Sequence, residues 1–399
     1  MRSSTRRILV WGLGSAGVVA AVVAATMMGT DDGGGDDRTA TVATSEPAPW
    51  LPDDVGAGCG SAARTDTRDL AASRPVARCA GGSPAPQPLA LPVRVRVALT
   101  QRGEAAAPVL LADRMGEFAA EGLRVELIDQ PASAAFASLA AGDVDAVVGP
   151  IDAPFFDAVR GGAGARWVLG GSLSTAPEDT DVPQAGLWLR SDLMRDGWRW
   201  SELAGMRVAL DAGWRSASVY PLATLAGEGG LSLNEVDLVA AAEEDAADRL
   251  LDGELAAAWV DQPASARIAD GDRFRLAATL PATEPIDGTM ISGRLLGADR
   301  GVGLAYARAV IRTINTYLSG DYHDDEDVMA ALAGATGAGA DELAETRPLL
   351  FDWEIRSGTA ERLQDAMVVI GAVGYERPLS EDDVVDRSLA VDALGLPTR

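Results

Sequence analysis

The chain of 399 residues contains no lysine; all 34 of its basic residues are arginine. Schiff-base chemistry and lysine general bases are therefore excluded. It has one histidine, His323, and two cysteines, Cys59 and Cys79, so Ser-His-Asp, His-rich zinc and Cys-His designs are starved of parts. Positive charge is also scarce. With 59 acidic residues the net charge is −25, which repels a phosphate backbone and excludes nucleic acid as a partner. What the chain does have is apolar content: at 47% hydrophobic it can fill the cores of two ordinary domains.

His323 lies in the acidic run Asp321-Tyr322-His323-Asp324-Asp325-Glu326-Asp327. The run lacks the spacing of a hard-metal loop and reads as a solvated turn between helices, with no metal and no cofactor expected. Cys59 and Cys79 sit in a Gly/Ala/Arg/Asp-rich stretch with no Cys-x-x-Cys motif. In an exported protein they would form a disulfide; otherwise they are two unpaired thiols.

Export is suggested by the N-terminus. Arg2, Arg6 and Arg7 precede the uncharged residues 8–29, and Asp31 and Asp32 follow at once. That order, with an apolar span of about 20 residues, predicts a membrane anchor with the bulk of the chain outside. Small residues at Ala24, Ala25 and Thr26 leave cleavage and secretion open. The same span holds Gly12-Leu13-Gly14-Ser15-Ala16-Gly17, a formal dinucleotide fingerprint, but it lacks the strand and helix of a βαβ unit and runs into linker. Residues 30–92, rich in glycine and punctuated by proline, read as that linker.

From Val93 onward strand and helix signals alternate, which predicts an α/β architecture. A weak repeat runs through it. Arg96-Val97-Ala98-Leu99 returns as Arg207-Val208-Ala209-Leu210, an offset of 111 (207 − 96), and Gly142-Asp143 returns as Gly253-Glu254 at the same offset (253 − 142). Between these anchors both halves run helix, glycine, strand: 108–122 then 123–128, and 218–230 then 236–240. Helical patterns at 300–318, 326–333, 359–373 and 381–394 follow, able to pack back on the first half. Two similar α/β lobes make a hinged clamp, with a ligand between the carboxyl ends of facing strands.

The segments Ala107-Pro108-Val109-Leu110-Leu111-Ala112-Asp113, Gly116-Glu117-Phe118, Glu121-Gly122-Leu123-Arg124-Val125-Glu126 and Leu139-Ala140-Ala141-Gly142-Asp143-Val144-Asp145-Ala146-Val147-Val148-Gly149 carry a resemblance. From Val93 to the end the chain resembles the nitrate/sulfonate/taurine and thiamine-precursor group of ABC-transporter substrate-binding proteins. The resemblance implies a two-lobed, type II periplasmic-binding-protein-like fold, with residues 93–188 and 286–399 in lobe one and 189–285 in lobe two. It implies the extracytoplasmic substrate-binding component of an uptake transporter for a small organic solute, with permease and ATPase subunits as partners. A ligand-sensing or accessory ectodomain without transport is the alternative. One relative in the superfamily is a pyrimidine-synthesising enzyme that depends on lysine and histidine; this chain departs from that branch, and no enzymatic activity is expected.

Carried over position by position, the cleft loops of lobe one are Thr100, Gln101 and Arg102, then Ala132 and Ser133, then Pro150, Ile151 and Asp152, then Ser172. Lobe two supplies Gly213, Trp214, Ser216 and Ala217, then Asp261 and Gln262. Trp214 would stack a flat or apolar ligand or simply pack. Arg102 would pair a sulfonate or carboxylate or stay solvated, and Asp152 and Asp261 would bind amino or hydroxyl groups or cap helices. The helix starts at 103–107 and 213–218 would favour an anionic ligand group.

Overall fold

The computed structural model of the chain describes residues 58–60, 64–71, 74–173, 186–195, 198–211, 213–260, 264–269, 272–279 and 284–396. The expected membrane segment 8–29 lies outside them. Among the described residues no helix is long and apolar enough to cross a membrane.

Among the described residues there are twelve strands: β1 (Val93–Leu99), β2 (Leu123–Asp129), β3 (Ala146–Pro150), β4 (Arg166–Gly170), β5 (Ser172–Leu173), β6 (Gly186–Arg190), β7 (Arg207–Leu210), β8 (Asp237–Ala240), β9 (Ala257–Val260), β10 (Phe274–Ala278), β11 (Asp287–Ile291) and β12 (Leu350–Phe351). They build one five-stranded sheet in the order β2-β1-β3-β11-β4, a second in the order β10-β6-β9-β7-β8, and the small pair β12-β5. Read from the β8 edge, the second sheet repeats the first. In each, three parallel strands are followed by one antiparallel strand, β11 or β6, which the chain lays down while crossing from one lobe to the other.

The 111-residue offset is a hydrogen-bonding register. Arg96 pairs with Glu126 and Arg207 with Asp237, while Val97 pairs with Ala146 and Val208 with Ala257. All four positions shift by the same amount (207 − 96, 237 − 126, 208 − 97, 257 − 146). Because side chains alternate across a strand, equal register puts equivalent residues on equivalent faces. Val95, Val97 and Leu99 enter the core beneath the helix Arg300–Tyr317, and Ala98 enters the opposite one with Phe136, Phe155 and Trp167. Sheets covered on both faces need apolar residues at successive positions, which explains the unbroken Ala146-Val147-Val148.

Several expectations shift. The pattern at 108–122 is two helices, Ala107–Arg114 and Glu117–Ala120, broken where Gly116 takes φ 81°. The pattern at 359–373 closes at Val369. That at 381–394 splits into Glu381–Val384 and Ser388–Ala393, because Val385 bridges to Trp167 and Asp386 N–H donates to the Trp167 carbonyl at the edge of β4. A lobe boundary at 188 cuts through β6, all of which pairs in the second sheet; Trp188, 6% exposed, belongs to the core of that lobe. The acidic run is a turn between helices with Asp321 and residues 324–327 exposed, as expected, but Tyr322 is drawn into the core and His323 Nε2 lies 2.8 Å from Glu104 Oε1.

The larger correction concerns the linker. Cys59 and Cys79 are bonded to each other, and from Arg74 onward the segment lies on lobe one as a strap. Arg74 Nη1 donates to Asp352 Oδ2 at 2.9 Å, and Cys79 N–H donates to Asn315 Oδ1 at 3.0 Å. Asn315 Nδ2 donates to the Ser83 carbonyl at 2.8 Å. Further along, Arg312 Nη1 and Arg308 Nη2 donate to the carbonyls of Pro84 and Gln87 at 2.9 and 3.0 Å. Both arginines also grip the fully buried Glu121, at 2.6 and 2.8 Å. Gly122 holds φ 78° beside it, and a Cβ there would stand 3.1 Å from Leu89 N, so strap and turn meet without room for a side chain.

Removing one partner of a buried ion pair strands the other charges. Glu121→Ala is therefore expected to cost about 3–5 kcal/mol of stability, read as a lowered urea midpoint, whereas a change within error would show that the hub is dispensable.

Candidate functional site

The carboxyl ends of β1, β2 and β3 in lobe one face the loop after β7 in lobe two, and the lobes touch directly there. Asp152 follows β3 at the N-cap of the helix Ala153–Arg160, yet its side chain does not cap that helix. It crosses the cleft, where Oδ1 accepts the backbone N–H of Ala217 at 2.7 Å. Ala217 leads into the helix Val219–Glu228 and packs within the lobe-one core. At the rim Gln101 Nε2 donates to Asp211 Oδ2 at 2.6 Å. Further out, Arg215 of lobe two donates to Asp157 Oδ2 at 2.5 Å and to the Ala372 carbonyl at 3.0 Å.

The expected site residues separate accordingly. Gln101, Asp152, Ser216 and Ala217 come together, Ser216 being 3% exposed with its Oγ accepting Ser218 N–H. Trp214 stands at the rim, 43% exposed, with the Arg215 guanidinium 5.6 Å from its ring centre. Gly213 holds φ 60° with its Cα against Ala240, where a Cβ would lie 3.0 Å from the Ala240 nitrogen.

Others serve lobe one itself. Arg102 pairs with Asp129 at 2.8 Å and donates to the Ala335 carbonyl. Thr100 extends the β1 to β3 ladder, its N–H donating to Val148 at 3.0 Å. Pro150 pairs with Asp287 in β11, and Ile151 is core. Ser172 staples β5 to β11 through both Asp287 oxygens at 2.7 and 2.6 Å. Ala132 is half-buried and Ser133 exposed in the first turn of the helix Ala132–Ala141. Asp261 and Gln262 lie outside the described residues.

Three contributors escaped the sequence reading. Asp211 had a signal, since it is the repeat partner of Thr100 (211 − 100 = 111). The Arg215–Asp157 pair had none. Nor did the latch on the return crossing, where the 6% exposed Glu284 accepts Tyr220 Oη from lobe two at 2.7 Å. Glu284 also accepts Arg362 Nε from lobe one at 3.0 Å and bonds to Thr359. Burial, and then the Glu284 charge, push the Tyr220 phenol up, so it stays a donor. Behind this latch a groove of about 640 Å³ runs between the helices Val219–Glu228 and Thr359–Val369. It contains none of the strand-end residues, and the facing strand ends are the better ligand site because backbone N–H groups and side chains converge there.

Burial pushes the Asp152 carboxyl up to about 7; the Ala217 N–H opposes the rise, the Asp211 charge adds to it and Arg215 opposes it. Burial also raises Asp211, against its bond from Gln101. Among the described residues no group of three or more His, Cys, Asp or Glu is placed to hold a metal ion. The cleft can therefore accept hydrogen bonds and screen a ligand from water.

No family model matches the chain, and no curated protein matches it. Solved structures do. The alkanesulfonate-binding protein SsuA from Xanthomonas axonopodis pv. citri, bound to MOPS, is 16% identical with a TM-score of 0.53, over 76% of this chain and 99% of that one. The periplasmic nitrate-binding protein NrtA from Synechocystis PCC 6803 is 11% identical at 0.57, over 76% and 89%. The periplasmic aliphatic sulphonate binding protein SsuA from Escherichia coli is 17% identical at 0.51, over 74% and 92%. At such identities the likeness is one of fold: this chain has the two-lobed architecture of the sulfonate- and nitrate-binding proteins.

An acid raised on folding contributes stability that is complete below its unfolded pKa, about 4, and lost as pH rises through its folded value. For Asp152 the window runs from there to about 7. Asp152→Asn is expected to remove a slope of at most about 1.4 kcal/mol per pH unit in that window and to be more stable than the parent above it. Urea unfolding across the range checks this; superimposable stability profiles would disprove it.

Proposed function

We propose that this chain is the extracytoplasmic substrate-binding component of an ABC uptake transporter, closing its two lobes on one small organic solute and handing it to permease and ATPase subunits. The observation that carries the reading is the pair of matched sheets whose strand ends meet across Asp152–Ala217 and Gln101–Asp211. A solute held there touches both lobes, so its differential affinity for the closed arrangement drives closure. In this reading Asp152 and Asp211 serve as hydrogen-bonding groups for the solute.

The periplasmic location of the Escherichia coli and Synechocystis proteins supports the extracytoplasmic face. So does the disulfide, a bond of oxidising compartments. In this reading residues 8–29 anchor the chain to the membrane or are cleaved to release it.

The full-length chain, purified and denatured, should release a small molecule visible by mass spectrometry. Adding that molecule back should stabilise the parent by about 2.7 kcal/mol at a hundredfold excess over Kd. Asp211→Ala and Gln101→Ala should each weaken its binding. No released solute, or affinity indifferent to both substitutions, would sink the receptor reading at this cleft.

A further inference from the structure

The receptor reading leaves the solute class open, and its relatives' names point to oxyanions. The cleft itself points elsewhere. An oxyanion would be drawn to a backbone N–H left open on the segment leading into the helix Val219–Glu228; those of Ser218, Val219 and Tyr220 are met by Ser216 Oγ and by the Ser216 and Ala217 carbonyls, and Pro221 has none, which leaves the N–H of Ala217. That place is taken: Asp152, 3% exposed, already accepts the Ala217 N–H at 2.7 Å. Its other oxygen has no hydrogen bond among the described residues. The cations of the cleft loops are committed as well, Arg102 to Asp129 and the Ala335 carbonyl, Arg215 to Asp157 and the Ala372 carbonyl. Asp211 is met by the neutral amide of Gln101, and among the described residues no guanidinium bonds to either acid.

Resting on the receptor reading, we infer that Asp152 is a specificity-determining residue: its carboxylate occupies the Ala217 N–H ahead of the lobe-two helix and turns the cleft against sulfonate- and nitrate-type solutes, selecting solutes that present a hydrogen-bond donor such as an amine, amidine or amino-heterocycle. The logic is that of specificity by repulsion. Above about pH 7, where Asp152 is ionised, a solute oxyanion entering here meets two carboxylates in a partly desolvated space, whereas an N–H donor satisfies the second oxygen of Asp152 and the charge of Asp211 together. The neutral substitution Asp152→Asn keeps an acceptor for Ala217 while removing the repelling charge; Asp152→Ala clears the position.

The test is isothermal titration, at a pH more than a unit above the point near 7 where Asp152 ionises, of the full-length parent, Asp152→Asn and Asp152→Ala with methanesulfonate, taurine and nitrate, the fold of each variant being checked by thermal melting. The expected result is that at least one of these anions binds a folded variant at least about tenfold more tightly than it binds the parent, and that the solute released from the parent carries a donor and no oxyanion. Parent affinity for the anions equal to that of both variants, or an oxyanion as the released solute, overturns the inference and leaves the receptor reading standing. A solute that binds the parent while no variant gains any anion also overturns it. If no released or added solute binds at all, the receptor reading falls and the inference goes with it.

Discussion

The structure depends on a buried carboxylate gripped from two sides. Glu121 has no exposure, and Arg308 and Arg312, two turns of one helix reaching across almost two hundred residues of sequence, share its oxygens. Two guanidinium groups offer more donors than one carboxylate can accept, and the remainder go to the carbonyls of Gln87 and Pro84 and to Glu117. The planar fork of arginine makes this possible; an ammonium could not span carboxylate and carbonyl in the same fixed geometry. A chain without lysine is thus well supplied for this task. The consequence is that the strap, the turn at Gly122 and the long helix Arg300–Tyr317 are tied together on the first sheet.

How much of this could be read from the sequence depends on the range of the forces involved. The repeat was legible because strand register is set by the apolar pattern, and a slip by one residue would turn Val97 and Val208 out of their cores. The motif Glu121-Gly122-Leu123, which carried the family resemblance, proves to be structural, its glutamate serving the hub and its glycine the close approach of Leu89. The strap was not legible. Its prolines and glycines read as linker, and what orders it is a set of donors from Asn315, Arg308 and Arg312, more than two hundred residues downstream. No local composition reports such partners.

The cleft shows the same divide at smaller scale. Strand ends told which loops meet, and of the residues expected there Gln101, Asp152, Ser216 and Ala217 come together in space. The sequence left open whether Asp152 caps its own helix or binds a ligand, and the structure adds a third choice, a backbone N–H of the opposite lobe. That choice is decided by tertiary geometry: Ala217 is inserted into the lobe-one core, so its N–H is buried and has to be satisfied there. Arg102, read as a possible anion partner, was claimed by Asp129 on the adjacent strand, the nearer and permanently available charge.

On the receptor reading, closure and selectivity draw on the same few groups. The lobes are held by Asp152–Ala217 and Gln101–Asp211 at the mouth and by the Tyr220–Glu284–Arg362 latch at the return crossing. A solute can bias this arrangement only through contacts it gains in the closed cleft beyond those it makes in an open one. Whatever it displaces counts against it, and displacing the Asp152 carboxylate from Ala217 would leave a buried N–H to be satisfied anew. A solute that binds alongside Asp152, donating to its second oxygen, gains a contact without losing this one. On the receptor reading, the least costly route to closure is therefore one in which the protein's own carboxylate remains in place, and the hydrogen bond that joins the lobes would also define what they accept.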